Sequence, residues 1–189
     1  DQEMSRGLGD VYKRQSVKDY VFRDDKQKKQ VSSWVESGAI PHLLFSGAAG
    51  TGKTTLAKVL LNELDVDDGD VMFINASSEN NVDTMRTKIN GFASSLPFSG
   101  DFKYVLLDES DYLSQNAQAI LRNMMETYST TCRFILTCNY PNKVIPAIHS
   151  RCQGYHIEKL DTNEFTARIA EILLAENVKP DLELSLIHI

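Results

Sequence analysis

Apolar residues in this chain gather in two ways: in short unbroken runs, and in longer segments where they recur every three or four positions. The runs are His42-Leu43-Leu44-Phe45, Val71-Met72-Phe73-Ile74, Tyr104-Val105-Leu106-Leu107, Phe134-Ile135-Leu136-Thr137-Cys138 and Gly154-Tyr155-His156-Ile157. Too short for helices and bounded by polar or turn residues, they predict strands over 42–46, 71–74, 104–107, 133–138 and 154–157, with 71–74 buried like its neighbours. The periodic segments predict helices. One covers 25–37, with Val31, Trp34 and Val35 on its inner side, Asp24-Asp25 to cap it and Gly38 to stop it. A second runs from Thr55 to about Leu64. A third covers 82–95, with Met85, Ile89 and Phe92 in one stripe and Asn81 or Asp83 as its cap. A fourth covers 115–128, with Ala119, Leu121, Met124 and Met125 facing inward and Arg122 and Glu126 spaced for an i,i+4 pair. A last helix extends from Asp161 or Thr162 to about Ala175. Strands alternating with helices specify the α/β class.

The chain's 189 residues hold one α/β domain of about 150 residues and part of a second. Three cysteines, Cys132, Cys138 and Cys152, have neither the even count of a disulfide scaffold nor zinc-site spacing, so they read as reduced thiols of a cytoplasmic protein. No apolar run approaches the about 18 residues of a membrane span, which leaves no membrane role. The net charge of -6 argues against a uniformly basic DNA-coating protein, though it leaves room for a local basic surface. Lys26, Lys28 and Lys29 read as a solvated face and Trp34 as packing. The acidic stretch 65–70 lacks the closing glutamate of a calcium loop and reads as a turn.

Between the first run and the second helix lies Gly47-Ala48-Ala49-Gly50-Thr51-Gly52-Lys53-Thr54, followed by Thr55. Strand, glycine-rich loop and helix in that order give the G-x-x-x-x-G-K-[ST] pattern its meaning. The glycines let successive backbone N–H groups turn inward, and the helix start adds unpaired donors, making a nest for triphosphate oxygens. Lys53 is placed to reach the β and γ phosphates and the Thr54 hydroxyl to ligate Mg²⁺.

The third run ends in Asp108-Glu109. Charges abutting a buried strand must be solvated, paired or bound to metal. With a metal already implied by Thr54, Asp108 reads as the Walker B acid holding Mg²⁺ through water, and Glu109 as the acid that orients or deprotonates water; a structural acid pair is the alternative. Asn139, at the tip of the fourth run, is either a turn residue or a donor to the γ phosphate or the lytic water.

The order of these motifs is that of an additional-strand P-loop ATPase. Further segments narrow the match: Ile74-Asn75-Ala76-Ser77, Val82-Asp83-Thr84-Met85-Arg86 with Lys88-Ile89, Asp108-Glu109-Ser110-Asp111, Phe134 to Tyr140, and Ser150-Arg151-Cys152. Together they resemble the small ATPase subunits of sliding-clamp loaders, the replication factor C type of archaea and eukaryotes and its relatives in T4-like phages. The resemblance implies an AAA+ core with a five-stranded parallel sheet in the order 5-1-4-3-2, followed by a small helical lid. It implies ATP and Mg²⁺ as cofactors, ATP hydrolysis, and a five-membered ring of subunits acting on a sliding clamp and primer-template DNA. Arg151 would then be a finger reaching the neighbouring subunit's ATP, and Arg86, Lys88 and Arg122 would lie near DNA or couple it to the ATP sites, with structural salt bridges as the alternative for the arginines. The host cytoplasm, or the nucleus of a eukaryote, is the implied location. A Holliday-junction motor or a non-hydrolysing scaffold are the alternatives. The cysteine zinc module of bacterial loader subunits is missing between the two Walker motifs.

The match departs from the family at both ends. Met4 to Gln15 and Leu184 to Ile189 resemble translated sequencing-adapter read-through, with a natural leader and a natural final strand as the alternative, and Tyr12-Lys13-Arg14-Gln15 only echoes the family's Lys-Tyr-Arg-Pro adenine-side segment. The expected organisation is therefore a non-native leader at 1–15, an ATPase core at 16–158, a truncated lid at 159–180 and a non-native tail at 181–189. Ala48-Ala49 replace a usual proline pair, and Ser110 a commoner alanine.

Overall fold

In the computed structural model, which describes residues 20, 22, 25–78 and 82–159, each apolar run is a strand and each periodic segment within those bounds a helix. The elements are α1 (Asp25–Ser37), β1 (Leu43–Ser46), α2 (Lys53–Glu63), β2 (Val71–Asn75), α3 (Val82–Ala93), β3 (Lys103–Asp108), α4 (Gln115–Thr127), β4 (Cys132–Cys138), α5 (Pro146–His149) and β5 (Gln153–His156). The five strands form one sheet in the order β2-β3-β4-β1-β5, the expected order read from its other edge, and every pairing is parallel. The chain divides into two compact units, one ending at Glu158 and one beginning at Lys159. The adapter-like ends, Asp24 of the expected first cap, the Asn81 cap and the helix from Asp161 or Thr162 lie outside the described residues.

Alternation along the strands builds two cores. Leu43, Phe45, Tyr104, Leu106 and Ile135 face α1 and α2, joining Val31, Trp34, Leu56 and Leu60. Leu44, Ile74, Val105, Leu107, Phe134 and Leu136 face the other way, onto Met85, Ile89, Leu121, Met124 and Met125 of α3 and α4. Each such side chain stabilises the fold by about 1.5–3 kcal/mol, and a sheet buried on both faces needs both layers. Trp34 packs as expected, its ring centroid 6.0 Å from that of Tyr155.

Several local expectations are corrected. β2 is not buried like the central strands β1, β3 and β4: it is an edge, and Phe73 stands 47 % exposed beneath the Lys58 ammonium. On α4 the inward residue is Ala117 rather than Ala119, which is exposed, because Ser114 caps the helix and sets its phase, accepting from the Ala117 N–H at 3.2 Å. Arg122 does not pair with Glu126; it bonds Asn123, and Glu126 turns to Arg151. Asp83 sits inside the first turn of α3 rather than capping it, and that helix ends at Ala93. The acidic turn hides one of its members, since Asp70 is fully buried and accepts the backbone N–H groups of Phe98 and Ser99 at 2.8 Å.

Candidate nucleotide and metal site

The glycine loop is shaped by contacts no other residue would permit. A Cβ on Gly47 would lie 2.1 Å from the backbone oxygen of Ile157, so the loop passes directly against the segment after β5. Gly52 has φ 85° and precedes α2, a left-handed turn that lets the chain enter the helix at Lys53 without the penalty a Cβ would bring. Thr51 Oγ1 donates to the Ala48 carbonyl at 3.0 Å and closes the loop on itself.

Around this loop opens a cleft of ≈ 320 Å³. Ala49, Gly50, Gly52, Lys53, Thr54 and Thr55 line one side. Asp108, Glu109 and Asn139, from the ends of β3 and β4, line the other with Thr137 and Cys138. Parallel pairing of β1 with β4 and of β4 with β3 brings these distant segments to one end of the sheet. Gly47, Ala48 and Thr51 are not among the residues that line the cleft.

The motifs are bonded to one another. Lys53 Nζ donates to the Gly47 carbonyl at 3.0 Å, the Ala48 carbonyl at 2.7 Å and Asn139 Oδ1 at 2.8 Å. Since Oδ1 accepts from an ammonium, the amide is oriented with its Nδ2 donor turned away from Lys53. Burial pushes the Lys53 pKa down, and the nearby carboxylates of Asp108, Asp111 and Glu109 act in the opposite sense. Thr54 Oγ1 donates to Asp108 Oδ1 at 2.7 Å. A hydroxyl that gives its hydrogen to a carboxylate keeps its lone pairs for a cation, and a hydroxyl beside a carboxylate is a hard-oxygen donor set suited to Mg²⁺, which keeps several waters and needs few protein ligands. Among the described residues no group of three or more His, Cys, Asp or Glu is arranged to hold a metal ion.

Two contributors escaped the sequence reading. Thr137, 1 % exposed, donates to Asp108 Oδ1 at 2.5 Å and accepts the Glu109 N–H at 3.0 Å. A lone hydroxyl in an apolar strand, two positions before its terminal asparagine, was the available signal. Gln118, also buried, donates to the Leu113 and Lys143 carbonyls at 3.0 Å and accepts from the Ile145 N–H at 2.8 Å, tying the loop after β4 to the start of α4. The cysteines are free: burial pushes the Cys132 and Cys152 thiols up to about 12 and Cys138 up to about 11, which keeps them protonated and inert.

Other candidate residues are not in the cleft. Arg151 Nε donates to Glu126 Oε1 at 2.9 Å, Nη2 reaches the same oxygen, and Nη1 donates to the Ala147 carbonyl at 2.7 Å. Arg86 and Lys88 are exposed on α3, and Arg122 is half-buried on α4. Among the described residues no helix is long and apolar enough to cross a membrane.

A five-stranded parallel sheet with a glycine-rich loop after β1, a lysine and threonine opening α2, and an acid at the tip of β3 defines a P-loop nucleotide-binding protein. Comparison with known proteins narrows this class. The model of the ATPase family associated with various cellular activities (AAA) matches residues 43–158, and the chain belongs to that family. It is similar to the replication factor C small subunit of Methanococcus maripaludis, 45 % identical over 154 residues, 79 % of this chain and 49 % of that protein. The corresponding protein of Methanoregula boonei is 43 % identical over 171 residues, covering 88 % of this chain and 52 % of its own length. The chain thus spans about half the length of the curated relatives it matches. Among solved structures, the Thermotoga maritima RuvB Holliday junction branch migration motor superposes with a TM-score of 0.69 at 18 % identity, over 89 % of this chain and 56 % of that one, a likeness of fold alone.

Proposed function

We propose that this chain is the ATP-binding and hydrolysing part of a sliding-clamp loader subunit, coupling ATP turnover to placement of a processivity clamp on primer-template DNA. The observation that carries the site reading is the mutual bonding of its motifs: Lys53 with Asn139, and Thr54 with Asp108, in one cleft. The kinship with replication factor C small subunits supports the clamp-loading context.

In this reading the loop from Gly47 to Thr55 cradles the phosphates with its N–H groups, and Lys53 exchanges its carbonyl partners for phosphate oxygens. Thr54 and Asp108, the latter through water, would hold Mg²⁺, which supplies neutralisation of the phosphate charge. Glu109 orients the attacking water and takes its proton, and the Asn139 amide donates toward the γ phosphate or that water. Arg151 completes a neighbouring subunit's site in a five-membered ring, so that hydrolysis depends on assembly. Arg86, Lys88 and Arg122 lie toward DNA or link it to the ATP sites, by phosphate contacts that weaken with salt. The domain limits 16–158 and 159–180 and a cytoplasmic setting, or a nuclear one in a eukaryote, belong to the same proposal.

Glu109→Gln tests it. Hydrolysis in the assembled complex should fall about 10²- to 10⁴-fold while ATP binding is retained. ATP binding with no phosphate release by the wild-type complex would instead identify a nucleotide-dependent scaffold.

A further inference from the structure

Thr137 is bonded to three consecutive residues at the tip of β3, and the direction of each bond is dictated by chemistry. A carboxylate only accepts, so the Thr137 hydroxyl donates to Asp108 Oδ1 at 2.5 Å. An amide N–H only donates, so the same oxygen accepts from Glu109 at 3.0 Å. The Thr137 carbonyl, in turn, accepts from Ser110 Oγ at 2.8 Å. The middle residue of this trio is strained: Glu109 has φ 55° and ψ 42°, the left-handed region that side chains with a Cβ rarely adopt. Such a conformation persists only where the surroundings over-determine it. Thr137 provides that constraint from a fully buried position on the adjacent strand. Its hydroxyl also joins that of Thr54 on a single oxygen of Asp108, and neither hydroxyl engages Oδ2.

We infer that Thr137 is a positioning residue for both acids of the site, orienting the Asp108 carboxylate toward the metal and holding the strained turn from which Glu109 projects. The inference rests on the reading of the cleft as a Mg·nucleotide site and extends it to a residue on the neighbouring strand. Valine has the shape of threonine without the hydroxyl, and serine has the hydroxyl without the methyl, so the two substitutions separate hydrogen bonding from packing.

The test is Mn²⁺ binding to the protein–ADP complex, read from the free-Mn²⁺ electron paramagnetic resonance signal, beside ADP binding in excess chelator. Thr137→Val should weaken Mn²⁺ binding by about 10- to 100-fold, the range found when a partner of a metal ligand is lost, and leave metal-free ADP affinity unchanged. Thr137→Ser should keep the wild-type Mn²⁺ midpoint, and Thr137→Ala gives the same reading as valine should the valine protein fail to fold. Amide exchange at Glu109 should accelerate in the valine or alanine protein and not in the serine protein. Wild-type Mn²⁺ affinity in the proteins lacking the hydroxyl, or a serine protein as weak as they are, would overturn the role given to Thr137 alone. A wild-type protein that binds neither ADP nor Mn²⁺ with ADP would overturn the reading of the cleft and the inference with it.

Discussion

Lys53 and Arg151 are both cations tied down by this chain, one 7 % exposed and the other with a side chain 31 % exposed, and their partners differ in kind. Lys53 is held by two loop carbonyls and an asparagine, neutral acceptors that leave its charge available to a phosphate. Arg151 is held by the carboxylate of Glu126, an acid half exposed to solvent, as well as by the Ala147 carbonyl. A buried ammonium without a counter-charge at hydrogen-bond distance is primed for an anionic ligand, because desolvation has already been met by the fold. A half-buried arginine paired with an exposed glutamate gains only modestly from that pair. The Lys53 cluster is thus built from neutral acceptors within the cleft, whereas Arg151 is tied outside it to an acid on α4.

Substitutions can break this comparison at several strengths. The largest effect belongs to Arg151→Ala in the assembled ring, where ATP hydrolysis should drop about 10³- to 10⁵-fold, with nucleotide binding by the isolated chain untouched. Unaltered turnover by such a ring would end the assignment of Arg151 as a finger. Next comes Lys53→Ala, which should weaken ATP binding by the isolated chain on the order of 10- to 100-fold, as expected for losing hydrogen bonds from a charged group; equilibrium titration with a fluorescent ATP analogue measures it. Smallest is Glu126→Ala. Removing an exposed ion-pair partner should change unfolding stability by less than about 1 kcal/mol in a denaturant titration. A larger loss would mean that the Arg151 corner is structural, and the contrast with the cleft would shrink accordingly.

The residues legible in the sequence are those whose chemistry is read over short distances. Gly47 to Thr54 announces its phosphate nest because the spacing, the flanking strand and the following helix are all local. Asp108 and Glu109 stand out because acids at the end of an apolar run demand an explanation. Asn139 is legible as a turn residue or a donor, but its bond to Lys53, 86 positions away, is not. Thr137 was hidden because threonine is an ordinary strand former, and only the register with β3 shows its hydroxyl meeting Asp108. The exposed edge at Phe73 was misread for a related reason: a run of apolar residues does not say whether its strand is central or at the margin.

By itself, then, the sequence determined the alternation of strands and helices, the phosphate loop, the acids at the tip of the third strand and the kinship with AAA proteins, all carried by periodicity or by contiguous motifs. The partner of Glu126, the burial of Asp70 against the Phe98 and Ser99 amides, and the bonds of Thr137 to Asp108 and Glu109 were decided only by the tertiary structure. Each of these depends on residues tens of positions apart meeting across the sheet or between helices, and hydrogen-bond direction and charge pairing are fixed by neighbours in space rather than by neighbours along the chain.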